Sequence, residues 1–204
     1  MRMVLPITKT RRVMKSLTKQ QWTYLVLTAG AAMGLVASFW QTLEKLTLLK
    51  NADSVLSCNL NSVFNCSNIL NAPQSSVFGF PNSLAAVAFF VFMLSVGLLG
   101  LTGSVLNSRL RLTYQAISLF FVGFSFWYFW QSIFNIGVIC IFCIFNFTGL
   151  LMINGAWFWL NYRDYPLSKR MMNKLDWAVA KGADIFFWCL VALVIVLEAI
   201  IKFA

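Results

Sequence analysis

The segment Ile139-Cys140-Ile141-Phe142-Cys143-Ile144 begins an apolar run that continues to Tyr162. If this run is a membrane helix, Cys140 and Cys143 both lie in its first turn, where unpaired backbone N–H groups and the helix dipole stabilise a thiolate. Two thiols at this spacing can also close on each other as a disulfide. The pattern therefore predicts a reactive dithiol. The alternative is a pair of small packing residues, because free cysteine is often buried.

The composition indicates an integral membrane protein. Of the 204 residues, 60% are hydrophobic and 11% are charged, whereas an ordinary soluble domain carries about 25% charge. The net charge of +10 would suit a nucleic-acid partner, but the basic residues are distributed as membrane topology requires, so no nucleic-acid binding is expected. The chain has no histidine, which excludes histidine metal sites, histidine general bases and Ser-His-Asp triads.

Hydropathy predicts five transmembrane helices in a single membrane domain, at 22–43, 83–101, 114–133, 140–162 and 184–202. About 20 apolar residues suffice to span a bilayer. A cleaved signal peptide ending near Ala37-Ser38 is the alternative for the first segment, but signal h-regions are shorter, at about 7–15 residues. The third and fourth segments are separated at Asn135-Ile136-Gly137, because Asn and Gly mark turns. The predicted fold class is therefore an all-α integral membrane protein.

The connection 44–82 is predicted to be an outer loop. It contains Cys58 and Cys66 and mixes Asn and Ser with apolar residues, so it is too polar to span and too apolar to be a solvated loop. We expect a loop and a short helix that lie on the bundle at the membrane surface. Pro81 precedes the second span, as helix starts allow.

The positive charges predict the topology. Thirteen Lys and Arg residues lie in the tail 1–20 and the connections expected on the same side, and three lie on the other side. The positive-inside rule then places the N-terminus in the cytoplasm. Cys58, Cys66, Cys140 and Cys143 are accordingly expected on the outer face, where disulfides are permitted.

Four cysteines on one face allow three interpretations. Two structural disulfides are one, but a disulfide closing so short a loop as Cys140–Cys143 constrains the unfolded chain little. A Cys₄ zinc site is the second, but the spacing of Cys58 and Cys66 is too wide for it, so no metal is predicted. A redox relay is favoured. Cys189, alone in the fifth span, is expected to be a packing residue.

The order of these motifs resembles the bacterial branch of the vitamin K epoxide reductase family. The resemblance covers about residues 20–162 and rests on Cys58-x7-Cys66, the segment Phe78-Gly79-Phe80-Pro81, and Cys140-x-x-Cys143 at the start of the fourth span. DsbB-type quinone reductases carry the two cysteine pairs in the opposite order. The resemblance implies a four-helix transmembrane bundle with a fifth helix added, capped by the outer loop, in a bacterial cytoplasmic membrane.

The resemblance also implies an enzyme, a thiol oxidoreductase with a quinone acceptor, menaquinone or ubiquinone. Electrons would come from a secreted or membrane-anchored thioredoxin-like oxidase to Cys58 and Cys66. The freed Cys66 would attack Cys140 of the Cys140–Cys143 disulfide, and Cys143 would leave as a thiolate beside the quinone. The assignment of Cys66 to Cys140 follows the family. The net result would be disulfide bond formation in secreted proteins.

Two positions depart from the family pattern, since Ala72 and Phe147 stand where relatives carry hydroxyl side chains. Asn71 and Asn146 are the candidates to replace those hydrogen bonds. An apolar, aromatic lining suits a quinone ring, and the candidates for it are Phe120, Phe124, Trp127, Phe142 and Phe145. Phe147 is a further candidate contact. A transporter or scaffold with structural disulfides, and a reductase that sends electrons outward, are the alternative functions. A transporter would be expected to place ionisable residues inside its spans, and only Glu198 comes close to that.

Overall fold

The structure is a helical bundle without a strand in the part of the chain it describes. It is a computed structural model that describes residues 17–104 and 106–203, so most of the predicted cytoplasmic tail lies outside the described residues. The helices are α1 (Lys19–Lys50), α2 (Cys66–Asn71), α3 (Asn82–Leu101), α4 (Ser108–Trp130), α5 (Ile141–Asn161), α6 (Lys169–Ala180) and α7 (Ala183–Phe203). Of these, α1, α3, α4, α5 and α7 are long and apolar enough to cross a membrane. The predicted all-α membrane fold is confirmed.

Helices α1, α4 and α6 begin at residues whose side chains satisfy free backbone N–H groups. Thr18 and Gln21 form a capping box at the start of α1, in which the Thr18 hydroxyl accepts from the Gln21 N–H and the Gln21 amide accepts from the Thr18 N–H. Asn107 caps α4, and Ser168 caps α6. These caps fix where each helix enters the bundle.

Three boundaries differ from the sequence prediction. Helix α1 continues to Lys50, about two turns past 43, because the residues that follow are good helix formers and Lys45 turns inward. The outer connection is therefore shorter than 44–82. Helix α4 starts at Ser108 and includes the arginines of the predicted connection, because Asn107 caps it there. The third difference is α6, an amphipathic helix within a segment predicted as a connection.

Helix α1 is the centre of the bundle and packs against α3 and α5. A Cβ added at Gly149 of α5 would lie 2.6 Å from the carbonyl oxygen of Gly30 in α1, so the two backbones are in direct contact. On the α3 side, the Phe90 ring covers Gly34, and the Tyr24 ring covers Gly100. Small residues at helix crossings allow such close packing, which supplies much of the stability of membrane bundles.

One end of the bundle, here called the cysteine end, is covered by residues 51–81. Helix α2 and the 3₁₀ turn Pro73–Ser76 lie over it, and α2 buries its side chains Ile69 and Leu70. The Lys45 ammonium donates to the carbonyl of Leu70 and to the Ser75 hydroxyl. The expected loop and short helix are therefore present as a cap that α1 holds from below.

The connection from α4 to α5 lies at the same end. Helix α4 continues as a π-helical turn, Gln131–Ile136, which ends at Gly137 in the left-handed region, with φ of 79°. Glycine adopts this conformation without a steric penalty, and the predicted break falls there. The chain then pairs with the cap, because Ile139 N–H donates to the Val63 carbonyl over 2.7 Å.

Candidate functional site

Cys58 and Cys66 are joined by a disulfide inside the cap. Cys66 is the first residue of α2 and is fully buried, and Cys58 is only 4% exposed. The Asn59 side chain fixes the start of α2, since its Oδ1 accepts from the N–H groups of Cys66 and Ser67 over 2.9 and 3.1 Å. The Cys66 sulfur is thereby held at a set position against the bundle.

Cys140 lies directly beneath this disulfide. Its Sγ is 3.9 Å from the Cys66 Sγ, and its side chain is fully buried. A parallel bridge between Phe64 and Ile139 brings the cap and the start of α5 side by side. Phe64 lies two residues before Cys66, and Ile139 lies one residue before Cys140. A thiolate at Cys140 and a disulfide sulfur at Cys66 are close enough for thiol–disulfide exchange after a small approach.

Cys143 lies one turn further along α5 and lines an internal cavity. Cys140 and Cys143 are both free thiols, and Cys140 is the N-cap of α5. The Gln41 side chain of α1 connects the second thiol to the cavity wall. Its Nε2 is 3.9 Å from the Cys143 Sγ, and its Oε1 accepts from Asn146 Nδ2 over 3.2 Å. The four sulfurs therefore lead from the cap to the cavity in the order Cys58, Cys66, Cys140, Cys143.

The cavity is bounded by α1, α3, α4 and α5 and is closed by the cap. Its walls are mainly aromatic and aliphatic. Helix α4 contributes one stripe of its surface, since the lining positions recur every three or four residues: Phe121, Phe124, Ser125, Tyr128 and Phe129. Such a repeat places side chains on one face of a helix. Walls of this composition suit an apolar ring beside Cys143.

Few polar atoms face this cavity, and two of them have no protein partner in the described part of the chain. They are Asn146 Oδ1 and Ser83 Oγ, both buried. Lys45 also lines the cavity, is 8% exposed, and forms no ion pair with a described acidic residue. Buried polar groups normally have hydrogen-bond partners, and those that do not call for an explanation such as an absent ligand. An apolar ring with one oxygen that accepts from the Ser83 hydroxyl and one hydroxyl that donates to Asn146 Oδ1, as a quinol has, would satisfy them.

The site residues predicted from the sequence lie at several places in the structure. All four cysteines of the predicted relay lie together, and Asn146 and Phe124 line the cavity beside them. The other predicted quinone contacts do not line it: Asn71, Phe120, Trp127, Phe142, Phe145 and Phe147. Phe120 is 59% and Trp127 39% exposed on the outer side of α4. Asn71 is exposed at the end of α2.

Phe142 and Phe147 lie on other faces of α5. Phe147 packs against Phe126 and Phe129, with ring centroids 5.3 and 5.7 Å away, behind the cavity wall. Phe142 is half-buried against the core. Cys189 is a free cysteine and is exposed on α7. If Cys189 has the predicted packing role, its packing partners therefore lie at the surface of α7.

Gln41, Lys45 and Ser83 are among the polar residues of the cavity that were not predicted from the sequence. Gln41 and Lys45 are four residues apart at the end of α1 and therefore share a face. Polar side chains in the last turns of an otherwise apolar span are a signal that was available in the sequence. Ser83 gives no such signal, because serine at a helix start is common.

The fold and the site together define a class of protein. An all-α membrane bundle that holds a disulfide next to a buried Cys-x-x-C dithiol is a membrane thiol–disulfide oxidoreductase. The chain belongs to the vitamin K epoxide reductase family, whose model matches residues 25–159. This match covers α1 to α5 almost completely and ends before α6. A comparison with curated proteins gives no match. Membership in this family associates the chain with thiol and quinone chemistry.

Proposed function

We propose that this protein is a membrane thiol:quinone oxidoreductase that drives disulfide bond formation. Cys58 and Cys66 receive two electrons from a thioredoxin-like partner, Cys140 and Cys143 receive them from the loop pair, and a quinone is the final acceptor. The observation that carries this proposal is the sulfur array: Cys66 Sγ is 3.9 Å from Cys140 Sγ, and Cys143 faces the cavity.

Each exchange step conserves electrons. A partner thiolate attacks Cys58 and releases Cys66 as a thiolate, and the second partner thiol then resolves this mixed disulfide, so the partner leaves oxidised. Cys66 attacks Cys140 of the Cys140–Cys143 disulfide and releases Cys143. Cys58 then attacks Cys66, which restores the loop disulfide and leaves Cys140 as a thiol. The loop pair is then oxidised and the inner pair is reduced, which is the combination present in the structure.

The quinone would accept two electrons and two protons from the inner pair, which closes the Cys140–Cys143 disulfide. Residues of this chain provide the binding chemistry. Asn146 and Ser83 offer polar atoms without partners in the described residues, and the α4 stripe offers apolar walls. Gln41 would stabilise the Cys143 thiolate by hydrogen bonding. Lys45 would contribute a positive charge in a cavity of low dielectric, where charge acts strongly.

The partner reaches the relay through the cap. Cys58 is 4% exposed, so the exchange requires the segment before it to move. Glu44 holds that segment, since its carboxylate accepts from the backbone N–H and the hydroxyl of Ser57. A thioredoxin-like protein, secreted or membrane-anchored, would have to displace this contact. We propose that the cysteine end faces the outer side of a bacterial cytoplasmic membrane and the N-terminus the cytoplasm, in accord with the charge distribution of the sequence.

Purified protein with a dithiol donor and a short-chain quinone provides the test. Wild type should reduce one quinone for each dithiol oxidised, and Cys143→Ala should reduce none. Cys189→Ala is the matched control, because the same substitution on α7 should retain full activity. Quinone reduction by Cys143→Ala at a rate near that of wild type would overturn the mechanism.

The direction of electron flow and the topology need separate measurements. In cells, Cys58→Ala should accumulate the Cys66–Cys140 disulfide, detected by a mass shift on a non-reducing gel after proteolysis. A membrane-impermeant maleimide should label reduced Cys58 in intact cells, and labelling only after lysis would reverse the orientation. Secreted substrates that lose disulfides when the protein is present would indicate a reductase instead.

A further inference from the structure

Helix α7 packs against the bundle at only a few residues, such as Val191, Ala199 and Phe203, and leaves a groove along the membrane. Most of its side chains are exposed, and α1, α5 and α7 together border a space of about 560 Å³. The walls of this membrane groove are apolar over most of their length and include Trp22, Val26, Met152, Gly155, Ile185 and Trp188. Gly155 widens it, since a Cβ there would meet nothing closer than Trp188 at 3.7 Å.

The groove opens at one end into a polar pocket. This polar mouth is lined by Lys19, Gln20, Thr23, Arg111 and Tyr162, together with Trp159 and Leu160. Lys19, Thr23 and Trp159 border both spaces, so the two adjoin. A polar mouth followed by an apolar groove matches a molecule with a polar head and a hydrocarbon chain.

The charges in the mouth favour an anionic head. Arg111 is paired with Asp164, but Lys19 forms no ion pair with any acidic residue that the structure describes. The Lys19 ammonium lies over the Trp159 ring, 5.0 Å from its centroid. Asp184 also borders the groove, but one carboxylate oxygen accepts from Trp159 Nε1 over 2.7 Å and the other is closed off from the surface. Lys19 is therefore the charge that an incoming head group meets.

We propose that this groove binds one anionic phospholipid, with its phosphate at Lys19 and one acyl chain between α5 and α7. The site is separate from the proposed quinone cavity, because Cys143 and Trp159 are 16 positions apart on α5, about 24 Å along the helix. The bound lipid fills the space that α7 leaves and connects this helix to the bundle. All of α7 lies beyond the region that the family model matches, so the lipid would hold an element added to the family bundle.

Native mass spectrometry of the delipidated full-length protein tests the site. With added phosphatidylglycerol, wild type should retain one lipid per chain, and Lys19→Ala should weaken this binding roughly fivefold, as expected for one basic residue at a lipid surface. Diacylglycerol with the same acyl chains lacks the phosphate, so it should bind more weakly and respond little to Lys19→Ala. Lys50→Ala, at the other end of α1, is the matched control and should bind like wild type.

A second pair of variants tests the acyl chain. Gly155→Phe should fill the groove and weaken binding of both lipids, whereas Gly155→Ala has room for its methyl group and should bind both. Equal phosphatidylglycerol binding by wild type, Lys19→Ala and Gly155→Phe would overturn the proposal. Preference for diacylglycerol would overturn it as well. Quinone reduction does not enter the readout, so the result is independent of the proposed function.

Discussion

Replacement of Gln41 by Leu tests the role of the cavity wall in the proposed relay. The substitution removes the Nε2 donor that lies 3.9 Å from the Cys143 sulfur and keeps a side chain of similar size on α1. A hydrogen bond to a charged group is worth about 1.5–3 kcal/mol. Because the distance is at the long end for such a bond, we take the lower value of about 1.5 kcal/mol, which corresponds to roughly a tenfold change in rate.

The same substitution also removes the partner of Asn146. Gln41 Oε1 accepts from Asn146 Nδ2 over 3.2 Å, and Asn146 Oδ1 has no partner among the described residues. Without Gln41, neither end of this buried amide is held, so its position in the cavity becomes variable. We therefore expect kcat for quinone reduction to fall about tenfold through the loss at Cys143, and KM for quinone to rise through the loss at Asn146.

The assay is steady-state quinone reduction with excess dithiol, with the quinone concentration varied. Gln115→Leu is the control, because Gln115 is equally buried and hydrogen-bonds Asn161 and Tyr165 at the opposite end of the bundle. Both variants lose buried hydrogen bonds and should lose comparable stability, but only Gln41→Leu should slow the reaction. A kcat within twofold of wild type for Gln41→Leu, or an equal loss in the control, would refute the reasoning.

Two further substitutions test the packing and the cap. Gly149→Ala should lower the unfolding free energy in detergent by about 1–3 kcal/mol, because its Cβ would lie 2.6 Å from a backbone oxygen of α1. Gly155→Ala on the same helix is the control and should change the stability little. Equal effects of the two substitutions would contradict the close crossing of α1 and α5. Asn59→Ala should slow the exchange between Cys66 and Cys140 several-fold by freeing the start of α2, measured as the rate at which dithiol reduces the inner pair, while quinol formation from a fully reduced protein should be unchanged. Slowing of both steps would contradict a role confined to the cap.

The transmembrane helices were predictable because hydropathy is a local property. Each span must satisfy its backbone hydrogen bonds within itself, so an apolar run of sufficient length is already a helix. The break at Gly137 was predictable for a similarly local reason, since glycine is the residue that most readily adopts the left-handed backbone conformation of such a turn. Helix α6 was not predicted. It is short and amphipathic, so its sequence lacks the long apolar run by which a membrane span is recognised.

The lining of the cavity could not be read from the sequence. Helix α4 carries aromatic residues on several faces, and only the face turned to α1 and α5 forms the wall. Phe124 lies on that face, whereas Phe120 and Trp127 lie outside it. The choice depends on how α4 is rotated against its neighbours, which is set by packing. The composition of α4 does not contain this information.

The sequence by itself determined the membrane class, the number of membrane-spanning helices and the two cysteine pairs, because each of these depends on residues close together in the chain. The tertiary structure decided which sulfurs meet and what they face. Cys66 and Cys140 are 74 positions apart, yet their sulfurs are separated by 3.9 Å. That contact exists because the cap is held by Lys45 and by the pairing of Val63 with Ile139. Such contacts between distant segments form only when the helices pack, so no local pattern encodes them.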